Sequence, residues 1–246
     1  MPRTIRIAAI PVATLDGLLE SNYARGLRLG EIALEAQPDL VLLPEAFAAG
    51  YCGTELLPHA EELDGPYQEA LRELSGRGGC VLVSGLLEKV AGGVRNAVAV
   101  FQKGVLLGTH GKTAMWPDDK RPYRDEVSLM VPGTEMEVFD TQVGRFGILI
   151  CYENRFPSLW DELAPQVEFI LSPYNCEGDP SFLNKLESPR IGRPSAWACR
   201  TGTVYRGPVG WGPNLGTAGL IDAAGNVIAC SREGVEEIVI AELPLG

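Results

Sequence analysis

Three short runs constrain this chain more than anything else in it. Leu40-Val41-Leu42-Leu43 ends in Pro44-Glu45, Gly147-Ile148-Leu149-Ile150 ends in Cys151-Tyr152-Glu153, and Phe169-Ile170-Leu171-Ser172 ends in Pro173-Tyr174-Asn175. Each run is continuously apolar where a half-exposed strand would alternate, so each suits a strand covered on both faces. Sheets covered on both faces belong to layered α/β architectures. Their strand ends form binding crevices, so Glu45, Cys151 and Asn175 are candidates for one shared pocket.

The rest of the chain fits this scheme. Ile5 to Val12 reads as a strand and Leu18 to Gln37 as a helix closed by Pro38. A second helix spans Pro66 to Gly76 and leads to a strand at Cys80 to Gly85. Asn96 to Gln102 and Gly104 to Thr109 read as a hairpin, and Glu137 to Thr141 with Arg145 to Ile150 as a strand pair. A short helix at Ser158 to Leu163 precedes a strand at Val167 to Ser172, and Ser188 to Arg200 reads as helical. Strands follow at Gly202 to Tyr205, Ala218 to Asp222, Val227 to Ser231 and Glu237 to Leu243. Hairpins mixed with strand-helix units imply mixed sheets covered by helices, a layered α/β sandwich. Trp116 to Glu126 and Tyr174 to Arg193 read as loops over a site. No linker-like stretch divides residues 1–246, so one domain is expected.

A formal net charge of -11 disfavours nucleic acid and anionic membranes as partners and leaves a small molecule as the expected one. The apolar start of the chain is short and broken by Pro11, which argues against a signal or a membrane span, so a cytoplasmic protein is expected. Six scattered cysteines without a CxxC pair, and His59 and His110 as the only histidines, favour neither a disulfide framework nor a metal site. No cofactor is expected. Cys52, Cys80, Cys199 and Cys230 read as packing residues.

A cysteine at a strand end is, taken alone, most simply a small core residue. As a nucleophile it needs a base or a cation. His110 is one candidate partner, giving a Cys-His hydrolase. Glu45 and Lys112 offer another solution, a desolvated carboxylate to move the thiol proton and an ammonium to hold an oxyanion.

The segments LVLLPEAFAAGY, HGKTAMW and GILICYENRFP, in that order, resemble the Glu, Lys and Cys signatures of the nitrilase superfamily of carbon-nitrogen hydrolases. Val131-Pro132-Gly133, Arg193 to Gly210 and GTAGLIDAAGNV (Gly216 to Val227) resemble its further blocks. The resemblance implies a four-layer α-β-β-α sandwich and a catalytic set of Glu45 as base and acid, Lys112 and Cys151. It also implies the Tyr152 backbone N–H as second oxyanion donor, and Glu126 as an acidic residue positioning the lysine, with Asp125 adjacent to it. Asn175 and Cys176 are candidate substrate-binding positions. The activity implied is hydrolysis of a small carboxamide or N-carbamoyl compound through a cysteine thioester, releasing ammonia, in a homodimer or larger homo-oligomer. Tyr152, where nitrile-hydrolysing members tend to carry Trp, favours an amide. Nitrile hydrolysis by the same site and a silent binding protein of the same fold are the alternatives. Arg190 or Arg193 would suit a substrate carboxylate, and Glu177 or Asp179 an amine.

Overall fold

The structure, a computed structural model, describes residues 3–49, 57–118, 125–205 and 211–245, with the side chains of 203–205 and 211 excepted. Cys52 and residues 119–124 of the expected site loop therefore lie outside the described residues. In chain order the elements are β1 (Arg3–Ala9), β2 (Ala13–Leu15), α1 (Leu19–Leu34), β3 (Leu40–Leu42), α2 (Pro66–Gly78), β4 (Val81–Val90), β5 (Gly93–Gln102) and β6 (Val105–Gly111). Next come α3 (Glu126–Leu129), β7 (Val138–Thr141), β8 (Gly144–Ile148), α4 (Pro157–Leu163), β9 (Phe169–Tyr174) and α5 (Ser181–Ile191). The chain finishes with β10 (Ser195–Cys199), β11 (Thr201–Tyr205), β12 (Trp211–Leu215), β13 (Ala218–Ile221), β14 (Val227–Cys230) and β15 (Val239–Leu245).

Two six-stranded sheets carry the fold, in the orders β15-β1-β3-β4-β5-β6 and β14-β13-β10-β9-β8-β7; β12-β11-β2 form a smaller third sheet. Both large sheets are mixed. In the first, β1, β3 and β4 run parallel and the outer pairs are antiparallel. In the second, β8, β9 and β10 are parallel and flanked by antiparallel neighbours. The continuous apolar runs lead into or form the parallel strands β3, β8 and β9, as coverage on both faces requires.

Side-chain alternation along these strands builds the layers. Ile7, Leu40, Leu42, Val81 and Val83 of the first sheet meet Phe146, Ile148, Phe169, Leu171 and Ala196 of the second in one buried cluster. The intervening residues Ala8, Val41 and Leu82 turn outward onto Ala33 of α1 and Leu71 and Leu74 of α2. On the far side, Ile170 and Leu149 pack on Trp160 and Leu163 of α4, and Trp197 and Cys199 pack beside Leu183 of α5. The result is the expected four-layer α-β-β-α sandwich. Burial of each such aliphatic side chain contributes roughly 1.5–3 kcal/mol.

Three expectations need correction. Ser188 to Arg200 is not one helix: α5 ends at Gly192, whose φ of 66° is left-handed, and Ser195–Cys199 is strand β10 between β9 and β13. Its small residues Ser195, Ala196 and Ala198 are compatible with a helix by propensity, but all five positions are buried and both edges are paired, so tertiary context decides. Tyr174 to Arg193 is correspondingly not a free loop, because α5 occupies most of it. Cys230, expected to pack, is exposed on the edge strand β14.

Candidate active site

β8 delivers Cys151 into a tight turn. Cys151 has φ 45°, a conformation that side chains other than glycine rarely adopt, and the chain then forms a single 3-10 turn over Cys151–Arg155. Asn154 holds this elbow from beneath. Its Nδ2 donates to the carbonyls of Leu149 at 2.7 Å and Cys151 at 3.1 Å, and its Oδ1 accepts from Ser172 Oγ at 2.8 Å. Cys151, half-buried as a residue, lines a cavity of about 330 Å³ with Lys112, Tyr152, Asn175 and Cys176.

Glu45 leaves the end of β3 through a second tight turn, with Ala46 at φ 38°. Gly85 of β4 makes that turn sterically feasible, since a Cβ there would stand 2.4 Å from the Ala46 nitrogen. Lys112 follows β6, and its backbone is pinned on both sides: its N–H donates to Asn96 O at 2.9 Å and its carbonyl accepts from Gly133 N at 2.7 Å. A Cβ at Gly133 would sit 2.0 Å from the Gly111 carbonyl oxygen, which gives the Val131-Pro132-Gly133 block its physical reason.

The side chains converge in a buried cluster. Lys112 Nζ donates to Glu45 Oε1 at 2.7 Å and stands 3.0 and 2.9 Å from the two oxygens of Glu126. Asn96 Nδ2 bridges the same carboxylates, at 2.8 Å to Glu45 and 2.7 Å to Glu126. Trp116 N donates to Glu126 Oε2 at 2.6 Å. Glu126, not the neighbouring Asp125, therefore stands beside the lysine; Asp125 instead accepts from Asp118 N in the loop. Sequence reasoning missed Asn96, whose only signal is an amide at the head of an apolar strand.

Two carboxylates around one ammonium leave the cluster short of positive charge. Burial opposes the charge on Lys112, but Glu126 and Glu45 outweigh it and raise its pKa, so it stays protonated. Burial raises the Glu45 carboxyl, with Glu126 adding to the rise and Lys112 opposing it. Burial and the Glu45 charge push the Cys151 thiol well up against the pull of Lys112. The Cys151 thiol is thus held toward its neutral form, and Glu45 Oε2 accepts no hydrogen bond from a described residue.

The remaining candidates divide clearly. Asn175 lines the cavity, donates to the Glu45 carbonyl at 3.4 Å, and accepts from Arg200, itself fully buried and paired with Asp16. Cys176 lines the cavity with its Sγ 3.8 Å from that of Cys199. Tyr152 places its ring edge-on between Trp116 and Phe156. Arg190 and Arg193 lie elsewhere: Arg190 pairs with Glu187 and Asp161, and Arg193 donates to the Ala164 carbonyl. The guanidinium in the cavity wall is that of Arg155, exposed and joined to no other described residue by an ion pair or hydrogen bond. Glu177 and Asp179 also line the cavity, but Asp179 is occupied by Ser181 and Thr217. His110 is fully buried with Nδ1 2.5 Å from Glu137 and Nε2 3.1 Å from Glu153, so neither ring nitrogen is available to Cys151. A Cys-His pairing is excluded by this geometry.

A thiol on a strained elbow beside a buried Glu-Lys-Glu cluster, within a four-layer sandwich, defines a class of thiol hydrolase. The sequence matches the carbon-nitrogen hydrolase family over residues 6–246, and the chain belongs to that family. It is 32% identical to the omega-amidase NIT2 of Bos taurus over 98% of this chain and 89% of that one. By structure it resembles a carbon-nitrogen hydrolase from Helicobacter pylori G27, with a TM-score of 0.85, 20% identity, and 98% and 89% of the two chains covered. It also resembles a mutant of the amidase from Nesterenkonia sp. AN1 in which acrylamide has added to the active-site cysteine, with a TM-score of 0.77, 18% identity, and 98% and 93% covered. The protein is a carbon-nitrogen hydrolase. Among the described residues no helix is long and apolar enough to cross a membrane.

Proposed function

We propose that the protein hydrolyses a small primary amide carrying a carboxylate at its other end, through a thioester on Cys151. The observation that carries the reading is the placement of Arg155, which pairs with no other described residue, in the wall of the cavity that Cys151 and Lys112 share. A cavity of about 330 Å³ suits a compact substrate, and relatives named omega-amidases support an amide at the end of a chain.

In this mechanism Glu45 takes the thiol proton as the sulfur attacks the amide carbon. Lys112 and the Tyr152 N–H hold the oxyanion. Collapse expels ammonia, protonated by Glu45, and leaves the thioester; water activated by Glu45 then releases the acid. Glu126 and Asn96 keep Lys112 charged and in place.

The test is an ammonia-release panel of succinamate, propionamide, an N-carbamoyl amino acid and propionitrile, with Cys151→Ala as the blank. Succinamate is expected to be the best substrate, and Arg155→Ala is expected to raise its KM by about ten-fold or more while leaving propionamide unaffected. A preference for the nitrile or the carbamoyl compound, or an Arg155→Ala effect equal on both amides, overturns the substrate assignment.

A further inference from the structure

Glu153, two residues after the nucleophile, has no part in the chemistry above, yet it is fully buried and charged. Its two oxygens collect four donors. Oε1 accepts from Thr113 N at 2.6 Å and Thr113 Oγ1 at 2.8 Å; Oε2 accepts from Ile150 N at 2.6 Å and His110 Nε2 at 3.1 Å. Thr113 follows Lys112 and Ile150 precedes Cys151. One carboxylate therefore bridges the segment that carries the cation and the segment that carries the thiol, which belong to different sheets.

We propose that Glu153, oriented by the His110–Glu137 pair, is a positioning residue that sets the distance between Lys112 and Cys151 and so builds the oxyanion site. The proposal rests on the reading of Cys151 as nucleophile and Lys112 as oxyanion partner. A carboxylate is an acceptor with about four lone-pair directions, and here all are used. No neutral side chain of that length accepts from all four donors: the NH2 of a glutamine would confront at least one N–H. The imidazole completes the device, since only its doubly protonated form donates to Glu137 and Glu153 at once. Burial works against that form, but Glu153 and Glu137 outweigh it and raise the His110 pKa to about 9. Burial would raise the Glu153 carboxyl, yet the His110 charge and the backbone donors hold it lowered. Among the described residues, those two carboxylates are the charged groups paired with the ring.

Sheet faces pack about 10 Å apart through side chains that tolerate small slides. Tetrahedral chemistry does not: a 1 Å misplacement costs on the order of 100-fold. Alkylation of the thiol by iodoacetamide needs no oxyanion site, whereas reversible addition to propionaldehyde does. In that addition the Cys151 sulfur bonds the carbonyl carbon, the π pair moves to oxygen beside Lys112, and the thiol proton passes to Glu45.

The experiment measures iodoacetamide alkylation of Cys151 with and without propionaldehyde in the full chain and in Glu153→Gln. In the variant, protection by the aldehyde is expected to weaken on the order of 100-fold, while the unprotected alkylation rate stays within roughly three-fold. Thr113→Val, which keeps the carboxylate and removes one of its donors, is expected to weaken protection by about five-fold and serves if Glu153→Gln does not fold. The proposal is overturned if protection is unchanged in both variants, if protection and alkylation fall together as for a general loss of structure, or if the wild type is not protected at all. Protection of the wild type without ammonia from any amide overturns the amidase reading and leaves the positioning role standing.

Discussion

His110 lies on β6 and Lys112 just beyond its end, two residues on, and each is a buried cation set between two carboxylates. Around Lys112 the acids are Glu45 and Glu126, and Glu45 Oε2 accepts no hydrogen bond from a described residue. Around His110 they are Glu137 and Glu153, and Glu153 is saturated with donors. The same stoichiometry produces opposite outcomes: the Glu45 carboxyl is raised and the Glu153 carboxyl is lowered. At Glu153 the His110 charge and the hydrogen bonds together return to the buried anion what desolvation removes, whereas at Glu45 the charge of Glu126 adds to desolvation. On the proposed readings, the first cluster is left reactive and the second is made into a joint.

The comparison breaks hardest at Lys112. Lys112→Met leaves two buried carboxylates side by side and removes the oxyanion partner. Turnover is expected to fall about 100- to 1000-fold. Urea denaturation should show a loss of about 3–5 kcal/mol near neutral pH, shrinking toward acid as the carboxylates protonate. An unchanged kcat with only a stability loss would make the first cluster structural like the second.

The His110 cluster should reveal itself through pH. Its pKa is raised from 6.5 to about 9, so the folded state binds the proton more tightly than the unfolded one. The contribution to stability is therefore complete below about 6.5 and is lost as pH rises through about 9; its size is on the order of 3 kcal/mol. Urea midpoints compared across that window should decline in the wild type and flatten in His110→Gln. A wild-type midpoint that does not decline there contradicts a charged imidazole.

A smaller effect is expected at Asn96, the amide that bridges Glu45 and Glu126. Asn96→Leu removes a donor from both, which should lift the low-pH limb of kcat/KM and reduce turnover by about ten-fold. Should the limb stay in place, Asn96 would belong to the packing of β5 and not to the tuning of Glu45.

Much of this was legible beforehand, for reasons that particular residues make clear. LVLLPE and GILICYE announce buried strands with polar ends because burial on both faces leaves no polar alternation, and the ordered Glu45, Lys112 and Cys151 signatures carry the family. Helix and strand could not be separated in Ser188 to Arg200, where small residues fit either and the partners of β10 come from β9 and β13. Arg155 was legible as a residue near the turn but not as the guanidinium of the cavity, a position that Arg190 and Arg193 matched equally well by composition.

The sequence by itself determined the layered α/β class and the family, and it singled out Cys151 among six cysteines as the candidate nucleophile. These follow from local periodicity and from motifs that survive as strings. Only the tertiary structure decided that Glu126 and not Asp125 meets Lys112, that Asn96 joins the cluster, and that His110 and Glu153 tie its two halves together. Those relations span two sheets and up to 67 residues of chain, as between Glu45 and Lys112. The charges and hydrogen bonds that lower one buried carboxyl and leave the other raised are properties of assembled neighbours and have no local trace in the sequence.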